Sequence, residues 1–267
     1  MPRFPDFSST VTEIQGSVFS ALAPRLATHR GEVYPLHIGD TWMEPAPGCR
    51  MQDLTIAEHP GMHRYSPPQG LAELLEAISQ RCTRRQAVPT SRSNLLVAAG
   101  ATGALGAVAG ALLESNDEVL VLAPYWPLIV GIIRSFHGHP IPVPVIGEAD
   151  SPESAVEACQ ELLTSRTVAL YLSSPNNPTG VVLPPDWIAA IVEWCRRNDL
   201  WVLADEIYED YLYEGDHLYA RSLAPERTFS VHSFSKAFGM AGNRCGYVAG
   251  PNSAVRHLRR VSTHTFY

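Results

Sequence analysis

The chain alternates short apolar runs with amphipathic stretches over most of its length. The first strong pattern lies just after Pro67 and Pro68, where apolar residues recur at three- and four-residue spacing. These residues are Leu71, Leu74, Leu75, Ile78 and Cys82. Such spacing puts the side chains on one face of a helix, and prolines are common just before a helix begins. The pattern therefore predicts an amphipathic helix after residue 70.

Seven short runs rich in apolar residues predict strands that are buried on both faces. They span 95–99, 118–123, 141–145, 168–172, 200–204, 229–232 and 246–249. Helical patterns at 103–113, 154–163 and 186–197 lie between some of them. This alternation is typical of α/β proteins, and it predicts a three-layer α/β/α sandwich with a mostly parallel sheet. Ligands of such sheets bind at the carboxyl ends of the strands.

The first 45 residues carry five prolines and no sustained periodic pattern. Prolines interrupt regular structure, so this segment is not expected to form a core by itself. We therefore expect residues 1–45 to form an irregular arm or a segment of a small domain, and residues 46–250 to form one large domain. Residues 251–267 would begin a second, C-terminal domain.

Composition narrows the class of protein. Of 267 residues, 45% are hydrophobic and 18% are charged, which is typical of a globular chain. The 20 Lys and Arg against 27 Asp and Glu leave a net charge of −7 without a basic stripe, so no nucleic acid is expected as a partner. No apolar run reaches the ~20 residues of a membrane span, and the N-terminal segment lacks the apolar core of a secretion signal.

The cysteines and histidines give no sign of a disulfide framework or a metal site. The five cysteines are odd in number and form no CxxC pair, so we expect reduced, mostly buried thiols in a cytoplasmic protein. His137 and His139 form an HxH pair, but no third ligand lies at metal-binding spacing. We interpret this pair as part of a loop.

Two of the predicted strands are followed by segments of small and turn-forming residues. GATGAL at 100–105 follows the first strand, and small residues at a helix start let backbone N–H groups approach an anion. Close packing of the helix against the sheet is the commoner reason for such residues. SPNNPTG at 174–180 forms a tight turn, which either aims an Asn side chain from the strand end or is an ordinary connection.

Two later strands end in charged residues. DEIY at 205–208 puts the Asp205 carboxylate next to an apolar strand and Tyr208 three residues on, while Glu209 and the acidic residues after it fit a solvated loop. In SFSKAFGMAGNRCGY at 233–247, Lys236 stands among small and apolar residues, with Arg244 eight positions later. Partial burial beside a second cation lowers the pKa of an amine and makes it a nucleophile. An ordinary exposed lysine is the alternative, but it would not explain why four strands of one chain are each followed by a motif of polar or small residues.

Together these motifs resemble those of the class I/II aminotransferases, the fold-type I enzymes that depend on pyridoxal 5'-phosphate (PLP). Segment 233–247 matches the family's lysine signature except at Cys245, where the family prefers an aliphatic residue, and the other motifs precede it in the family's order. The resemblance runs from about Gly39 to the end of the chain. It implies the fold of the PLP-dependent transferases and transfer of an amino group from an α-amino acid to a 2-oxo acid, by a ping-pong mechanism through pyridoxamine phosphate.

The resemblance also implies roles for individual residues. Lys236 would form a Schiff base with PLP and shuttle the substrate α-proton, and Asp205 would pair with the pyridine nitrogen. Tyr208 and Asn177 would donate hydrogen bonds to the phenolate oxygen of the ring, and Asn177 would also border the substrate. The phosphate would be held by Ala101, Thr102, Ser233 and Arg244.

Three further positions match the family pattern. Trp126 stands where the family's aromatic stacks on the pyridine ring, with Tyr125 as the alternative, and both also fit a plain core. Tyr65, in HRYSPPQG at 63–70, matches the tyrosine that reaches the cofactor phosphate of the neighbouring subunit, which implies a homodimer with shared active sites. Gly39, in HIGD at 37–40, matches a backbone position near the substrate carboxylate.

Family members extend further beyond the lysine than this chain does, and there they carry the arginine that binds the substrate carboxylate. Arg256, Arg259 and Arg260 lie too close to Lys236 for that role, and we interpret them as an exposed basic helix face. We therefore expect a truncated chain that keeps much of the PLP pocket but turns over poorly. Two alternatives remain open: a PLP-dependent β-lyase, and a non-catalytic PLP-binding module.

Overall fold

The computed structural model describes residues 7–14, 18–34, 36 and 39–265. His37 and Ile38 of the HIGD motif lie outside the described residues. The N-terminal region contains helices α1 (Ser9–Glu13) and α2 (Val18–Thr28). The expectation of an irregular arm is therefore wrong over α2. Pro24 lies inside this helix and removes one backbone donor, but the Ala and Leu residues around it are strong helix formers.

The central element of the fold is a sheet, to which the described residues contribute seven strands. They are β1 (Leu95–Ala98), β2 (Glu118–Ala123), β3 (His139–Pro144), β4 (Thr167–Ser173), β5 (Trp201–Asp205), β6 (Thr228–Ser233) and β7 (Gly246–Ala249). Their order across the sheet is β1-β7-β6-β5-β4-β2-β3. The strands from β6 to β3 pair in parallel, whereas β7 runs antiparallel to both β6 and β1. The predicted mostly parallel sheet is confirmed.

Helices cover both faces of this sheet. One face carries α3 (Ala72–Gln86), α6 (Pro152–Glu161), α7 (Pro185–Arg197) and α8 (Ala220–Leu223), and the other carries α4 (Gly100–Leu112), α5 (Leu128–Ser135) and α9 (Asn252–Thr265). Two layers of apolar side chains fill the space between the sheet and these helices. The predicted three-layer α/β/α sandwich is therefore confirmed, with its core divided between the two faces of the sheet.

The alternation of side chains along β5 shows how the two core layers are built. Val202 and Ala204 belong to the apolar cluster on the α7 side, while Leu203 belongs to the cluster on the α4 side. Successive residues of a strand point to opposite faces, so a strand buried on both sides needs apolar residues throughout. This requirement explains why the strands are continuous apolar runs.

Some boundaries and the short helices α5 and α8 also differ from the sequence predictions. Helix α4 begins at Gly100 rather than at residue 103, and β3 begins two residues before the predicted 141. Helix α5 was not predicted, because its sequence LIVGIIRS is rich in branched residues that favour strands and spans only eight residues. Helix α9 carries the predicted exposed arginines and packs against α4 and β1. The proposed domain boundaries at 45 and 250 stay predictions.

Within the described ranges, no helix is both long and apolar enough to cross a membrane. All five cysteines are free thiols, and Cys82, Cys159 and Cys195 are buried. Burial raises the pKa of the Cys82 thiol to about 11 and that of Cys159 to about 12. The expectation of mostly buried cysteines is confirmed.

Candidate active site

The polar strand ends meet at one edge of the sheet. Because β4, β5 and β6 are parallel neighbours, the residues that follow them leave the sheet side by side. Gly246, the first residue of β7, pairs with both Ala98 at the end of β1 and Ser233 at the end of β6. This register brings the start of α4, which follows β1, to the same edge as the Lys236 segment.

Asp205 is deeply buried at this edge, with 2% of its surface exposed. Its Oδ2 accepts a hydrogen bond of 2.7 Å from the hydroxyl of Tyr171, and it also accepts one from the backbone N–H of Ile207. Its Oδ1 is buried and has no hydrogen-bond partner among the described residues. Burial raises the pKa of Asp205 to about 6, although the hydrogen bonds from Tyr171 and Ile207 favour the charged form.

Lys236 is half-buried, and its ammonium group points toward the other strand ends. Its Nζ donates a hydrogen bond of 2.6 Å to the carbonyl oxygen of Gly39 and lies 5.9 Å from the ring centre of Tyr208. Burial lowers the pKa of Lys236, the nearby Arg244 guanidinium lowers it further, and Asp40 opposes both. Lys236 is also the only lysine in the 267-residue sequence.

Tyr208 and Asn177 lie together, as predicted. The amide nitrogen Nδ2 of Asn177 donates to the hydroxyl of Tyr208 over 3.4 Å. Burial and the nearby Asp205 carboxylate raise the pKa of Tyr208. Both groups therefore offer protons rather than charge to anything that binds between them and Lys236.

A pocket with the properties of an anion site lies at the start of α4. Gly100 has a positive φ of 71°, and an ideal Cβ built on it would lie 2.6 Å from Nη2 of Arg244. The guanidinium therefore lies against the first turn of the helix, and its Nη1 donates to the carbonyl of Ala241 over 2.9 Å. Free N–H groups at a helix N-terminus together with an arginine attract a phosphate or carboxylate. The absence of a side chain at Gly100 keeps this approach open.

The remaining predicted phosphate ligands border this pocket. Ala101 and Thr102 follow Gly100 in the first turn of α4, and Thr102 is exposed. The hydroxyl oxygen of Ser233 accepts the backbone N–H of Ser235 over 3.0 Å. A cavity of about 270 Å³ adjoins Arg244, and its wall includes residues of the 66–70 segment.

Two other predicted site residues, Trp126 and Tyr65, differ in how far they are buried. Trp126 is half-buried and packs against the apolar cluster on the α4 side, together with Tyr125. Tyr65 is 88% exposed. Their predicted roles toward the cofactor ring and toward a neighbouring subunit stay predictions.

Two structural residues of the site were missed by the sequence reasoning. Tyr171 carries the hydroxyl that binds Asp205, but inside an apolar strand it has no motif around it. Asn176 holds the turn before Asn177: its Nδ2 donates to the carbonyl of Pro124 over 3.0 Å, and its Oδ1 accepts from the Thr179 hydroxyl over 2.8 Å. The repeated Asn in SPNNPTG could have indicated that one amide holds the turn and the other faces the site.

The opposite face of the sheet buries a network of charged residues. Glu209 was expected in a solvated loop, but only 5% of it is exposed; it pairs with Arg81 at 3.0 Å and with His232 at 3.1 Å. Burial disfavours the charged forms of both Glu209 and His232, but the electrostatic attraction and the hydrogen bond between them are stronger. The pKa of Glu209 therefore lies well below its ordinary value, and that of His232 lies above it. The expectation was wrong because the partners come from α3 and β6, far away in sequence.

The geometry at the strand ends permits a definite chemistry. A half-buried amine can act as a nucleophile and a proton carrier, and a buried carboxylate oxygen can hold one proton of a ligand. The anion pocket lies on the α4 side of the same edge. The group therefore suits an anionic ligand that carries both a proton donor for the carboxylate and an electrophilic carbon that an amine can attack.

Comparison with known proteins agrees with this chemistry. Residues 37–267 match the family described as aminotransferase class I and II. A probable aspartate/prephenate aminotransferase of Thermus aquaticus is 38% identical over 205 residues, covering 77% of this chain and 53% of the relative. An arginine–pyruvate transaminase of Pseudomonas aeruginosa is 34% identical over 271 residues, covering 99% and 68%.

Solved structures show the same fold. Aspartate aminotransferase from Thermus thermophilus, determined with maleate, superposes with a TM-score of 0.88 at 31% identity and covers 98% of this chain and 69% of that protein. The chain spans about half the length of the first of the curated relatives above.

Proposed function

Because the chain belongs to the class I and II aminotransferases, we propose that it binds PLP at the strand ends and uses Lys236 to move an amino group from an α-amino acid to a 2-oxo acid. The observation that carries the proposal is Oδ1 of Asp205, which is buried without a partner among the described residues. A buried polar atom without a partner is costly unless a ligand satisfies it. The protonated nitrogen of a pyridine ring is a suitable donor.

The other residues fit the remaining parts of the same molecule. Arg244, the N–H groups at the start of α4 and Ser233 are the groups that would hold the phosphate. Tyr208 and Asn177 would donate to an oxygen on the ring, since the Asn177 amide lies 3.4 Å from the Tyr208 hydroxyl and both groups carry protons to donate. When bound, PLP supplies a carbonyl carbon for amines and a ring that accepts the electron pair released from the substrate α-carbon.

Lys236 performs the proton transfer in this proposal. Burial and Arg244 lower the pKa of its ammonium group, so a larger fraction of Nζ is unprotonated near neutral pH than for an exposed lysine. With PLP bound, Nζ of Lys236 would be the group that accepts the α-proton of the substrate and donates it again during amino transfer. In the cofactor-free chain, Nζ donates to the carbonyl oxygen of Gly39 and lies 5.9 Å from the ring centre of Tyr208, so the amine already stands beside the other strand-end residues.

The negative charge of Asp205 would keep the ring nitrogen of the ligand protonated. The hydrogen bonds from Tyr171 and Ile207 stabilise the carboxylate against its burial. An anion at Oδ1 holds a proton on the ligand nitrogen more tightly than a neutral acceptor would, and this makes the ligand a better electron acceptor. Asp205 would thus hold the proton on the ring nitrogen, and Lys236 would transfer the α-proton of the substrate.

The assembly and the location belong to the same proposal. Tyr65 is exposed, and large apolar residues in the same region are exposed as well, with Trp42 at 91% and Met43 at 61%. A surface of this kind suits burial against a second copy of the chain, in which Tyr65 would approach the partner's phosphate pocket. Three buried free thiols fit a reducing compartment, so we propose a cytoplasmic homodimer.

The test uses the fact that Lys236 is the only lysine in the sequence. The chain is incubated with PLP, reduced with borohydride and analysed by peptide mass spectrometry. We expect one cofactor-derived mass on the peptide that contains Lys236 and none on the same peptide of Lys236→Ala. A cofactor mass confined to the N-terminal amine would contradict the proposal.

Amino transfer is tested on the unreduced complex. Aspartate, arginine, alanine or glutamate is added, and the 2-oxo acid formed per chain is measured. Formation of one equivalent of 2-oxo acid without ammonia supports amino transfer. Release of ammonia together with pyruvate would indicate a β-lyase, and bound cofactor that no amino acid converts would indicate a binding module.

A further inference from the structure

Tyr171 lies directly behind the predicted ring-binding carboxylate. Ser173 of β4 pairs with Asp205 of β5, and Tyr171 pairs with Leu203. Residues two apart on a strand share a face, so Tyr171 and Asp205 point to the same side of the sheet, one step apart on neighbouring strands. Tyr171 is completely buried in the apolar cluster on the α4 side. Its hydroxyl is therefore a polar atom in the core with one charged neighbour.

The Tyr171 hydroxyl makes the two carboxylate oxygens of Asp205 inequivalent. It donates to Oδ2 of Asp205 over 2.7 Å, while Oδ1 has no partner among the described residues. Rotation about the last bond of an Asp side chain is soft, so packing alone selects no single orientation. A short hydrogen bond to one oxygen does select one. It leaves the other oxygen as the single acceptor for a ligand.

We propose that Tyr171 is a positioning residue of the cofactor site: its buried hydroxyl fixes Oδ2 of Asp205, so that Oδ1 alone addresses the ring nitrogen of PLP and the carboxylate stays charged. The inference rests on the proposed function for the identity of the ligand. The arrangement of Tyr171 and Asp205 itself does not depend on that ligand, and it can be tested on the chain alone.

The charged and titratable groups around Asp205 favour this role. Electrostatic interaction with His232 of β6, on the far side of the sheet, lowers the pKa of Asp205, whereas Glu206 next in sequence raises it. Tyr208 lies nearby on the ligand side, and Asp205 raises its pKa. Burial and the carboxylate raise the pKa of Tyr171 well above its ordinary value. Both effects favour the protonated hydroxyl, which is the form that donates to Asp205.

A purely structural role for Tyr171 makes a different prediction. If the ring only fills space between β4 and α4, Phe fits the same volume and nothing changes at Asp205. If the hydroxyl positions and charges the carboxylate, removing it leaves Asp205 buried with one donor fewer. The charged form then becomes harder to maintain.

The first experiment titrates Asp205 in the cofactor-free chain. Protein carrying ¹³C-labelled Asp carboxyl groups is titrated by NMR, and the Asp205 resonance is assigned by its loss in Asp205→Asn. In Tyr171→Phe we expect the titration midpoint of Asp205 to rise by about one pH unit, as expected for loss of one hydrogen bond to a charged group. An unchanged midpoint would overturn the proposal.

Tyr247→Phe is the matched control. Tyr247 is also buried, but it lies on the α3 face and its hydroxyl meets the Cys82 sulfur at 3.9 Å. We expect this variant to leave the Asp205 midpoint in place. Should Tyr171→Phe fail to fold, 3,5-difluorotyrosine at position 171 keeps the shape and makes the hydroxyl a stronger donor. The midpoint of Asp205 must then fall, and no change would overturn the proposal.

A second readout uses the bound cofactor. PLP labelled with ¹⁵N in the ring reports by its chemical shift whether the ring nitrogen is protonated. We expect the ring nitrogen to lose its proton at a lower pH in Tyr171→Phe than in the unmodified chain, and at the same pH in Tyr247→Phe. If the unmodified chain binds no PLP, the proposed function fails, while the carboxyl titration still decides the role of Tyr171.

Discussion

Replacing Gly100 by Ala tests the anion pocket without touching any group that would contact the ligand through a side chain. Gly100 has a φ of 71°, and a Cβ there would lie 2.6 Å from Nη2 and 3.2 Å from Cζ of Arg244. The guanidinium must therefore move by roughly 1 Å to restore an ordinary van der Waals separation. It is the end of a flexible side chain, so the move costs little stability. It does take the charge away from the start of α4.

The size of the effect follows from the contacts that are lost. A hydrogen bond to a charged group contributes about 1.5–3 kcal/mol, which corresponds to roughly 10- to 100-fold in a dissociation constant. We therefore expect Gly100→Ala to weaken PLP binding by about 10- to 100-fold. The strained backbone of an Ala at positive φ should also lower the free energy of unfolding by about 1–2 kcal/mol.

A matched variant separates these two effects. Gly147 has a φ of 89° and no atom within 4 Å of an added Cβ, so Gly147→Ala carries the backbone strain without the clash. PLP affinity is measured by fluorescence titration and stability by urea denaturation. We expect both variants to lose similar stability and Gly100→Ala alone to lose affinity. Equal affinity in the two variants would refute the assignment of Arg244 to the phosphate.

Two further predictions concern stability. Burial raises the pKa of Asp205 from 3.8 to about 6, so its contribution to stability is full below pH 4 and is lost as the pH rises through 6. Asp205→Asn should therefore stabilise the cofactor-free chain by up to about 3 kcal/mol at pH 7 but not at pH 4. The free energy of unfolding is measured by urea denaturation, and the same difference between variant and unmodified chain at both pH values would contradict this prediction. An added Cβ at Gly246 would lie 2.7 Å from backbone atoms of Gly100 and His232, so Gly246→Ala should lower the free energy of unfolding by about 3 kcal/mol or more. Gly242 has open space around it, so Gly242→Ala should lower it by less than about 1 kcal/mol. Similar melting temperatures for the two variants would contradict this prediction and show that the backbones can separate.

The sequence predicted the site better than its surroundings. Asn177 and Tyr208 lie together and Lys236 faces them, because each follows a parallel strand and the ends of such strands meet at one edge. Glu209, in contrast, was assigned to solvent and is buried against Arg81. Nothing near residue 209 in the sequence shows that helix α3, more than 120 residues earlier, supplies its partner.

The sequence by itself determined the seven strands and the polar residues at their ends. Short apolar runs rich in branched residues favour strands that are buried on both faces, and the motif residues stand where those runs stop. The order of the strands was decided by the tertiary structure alone, including the antiparallel β7 that joins Gly246 to the start of α4. So was the pairing of Tyr171 with Asp205. The physical reason is that alternation along one strand assigns a residue to a face, whereas its neighbour on that face depends on which distant strand lies beside it and in which register.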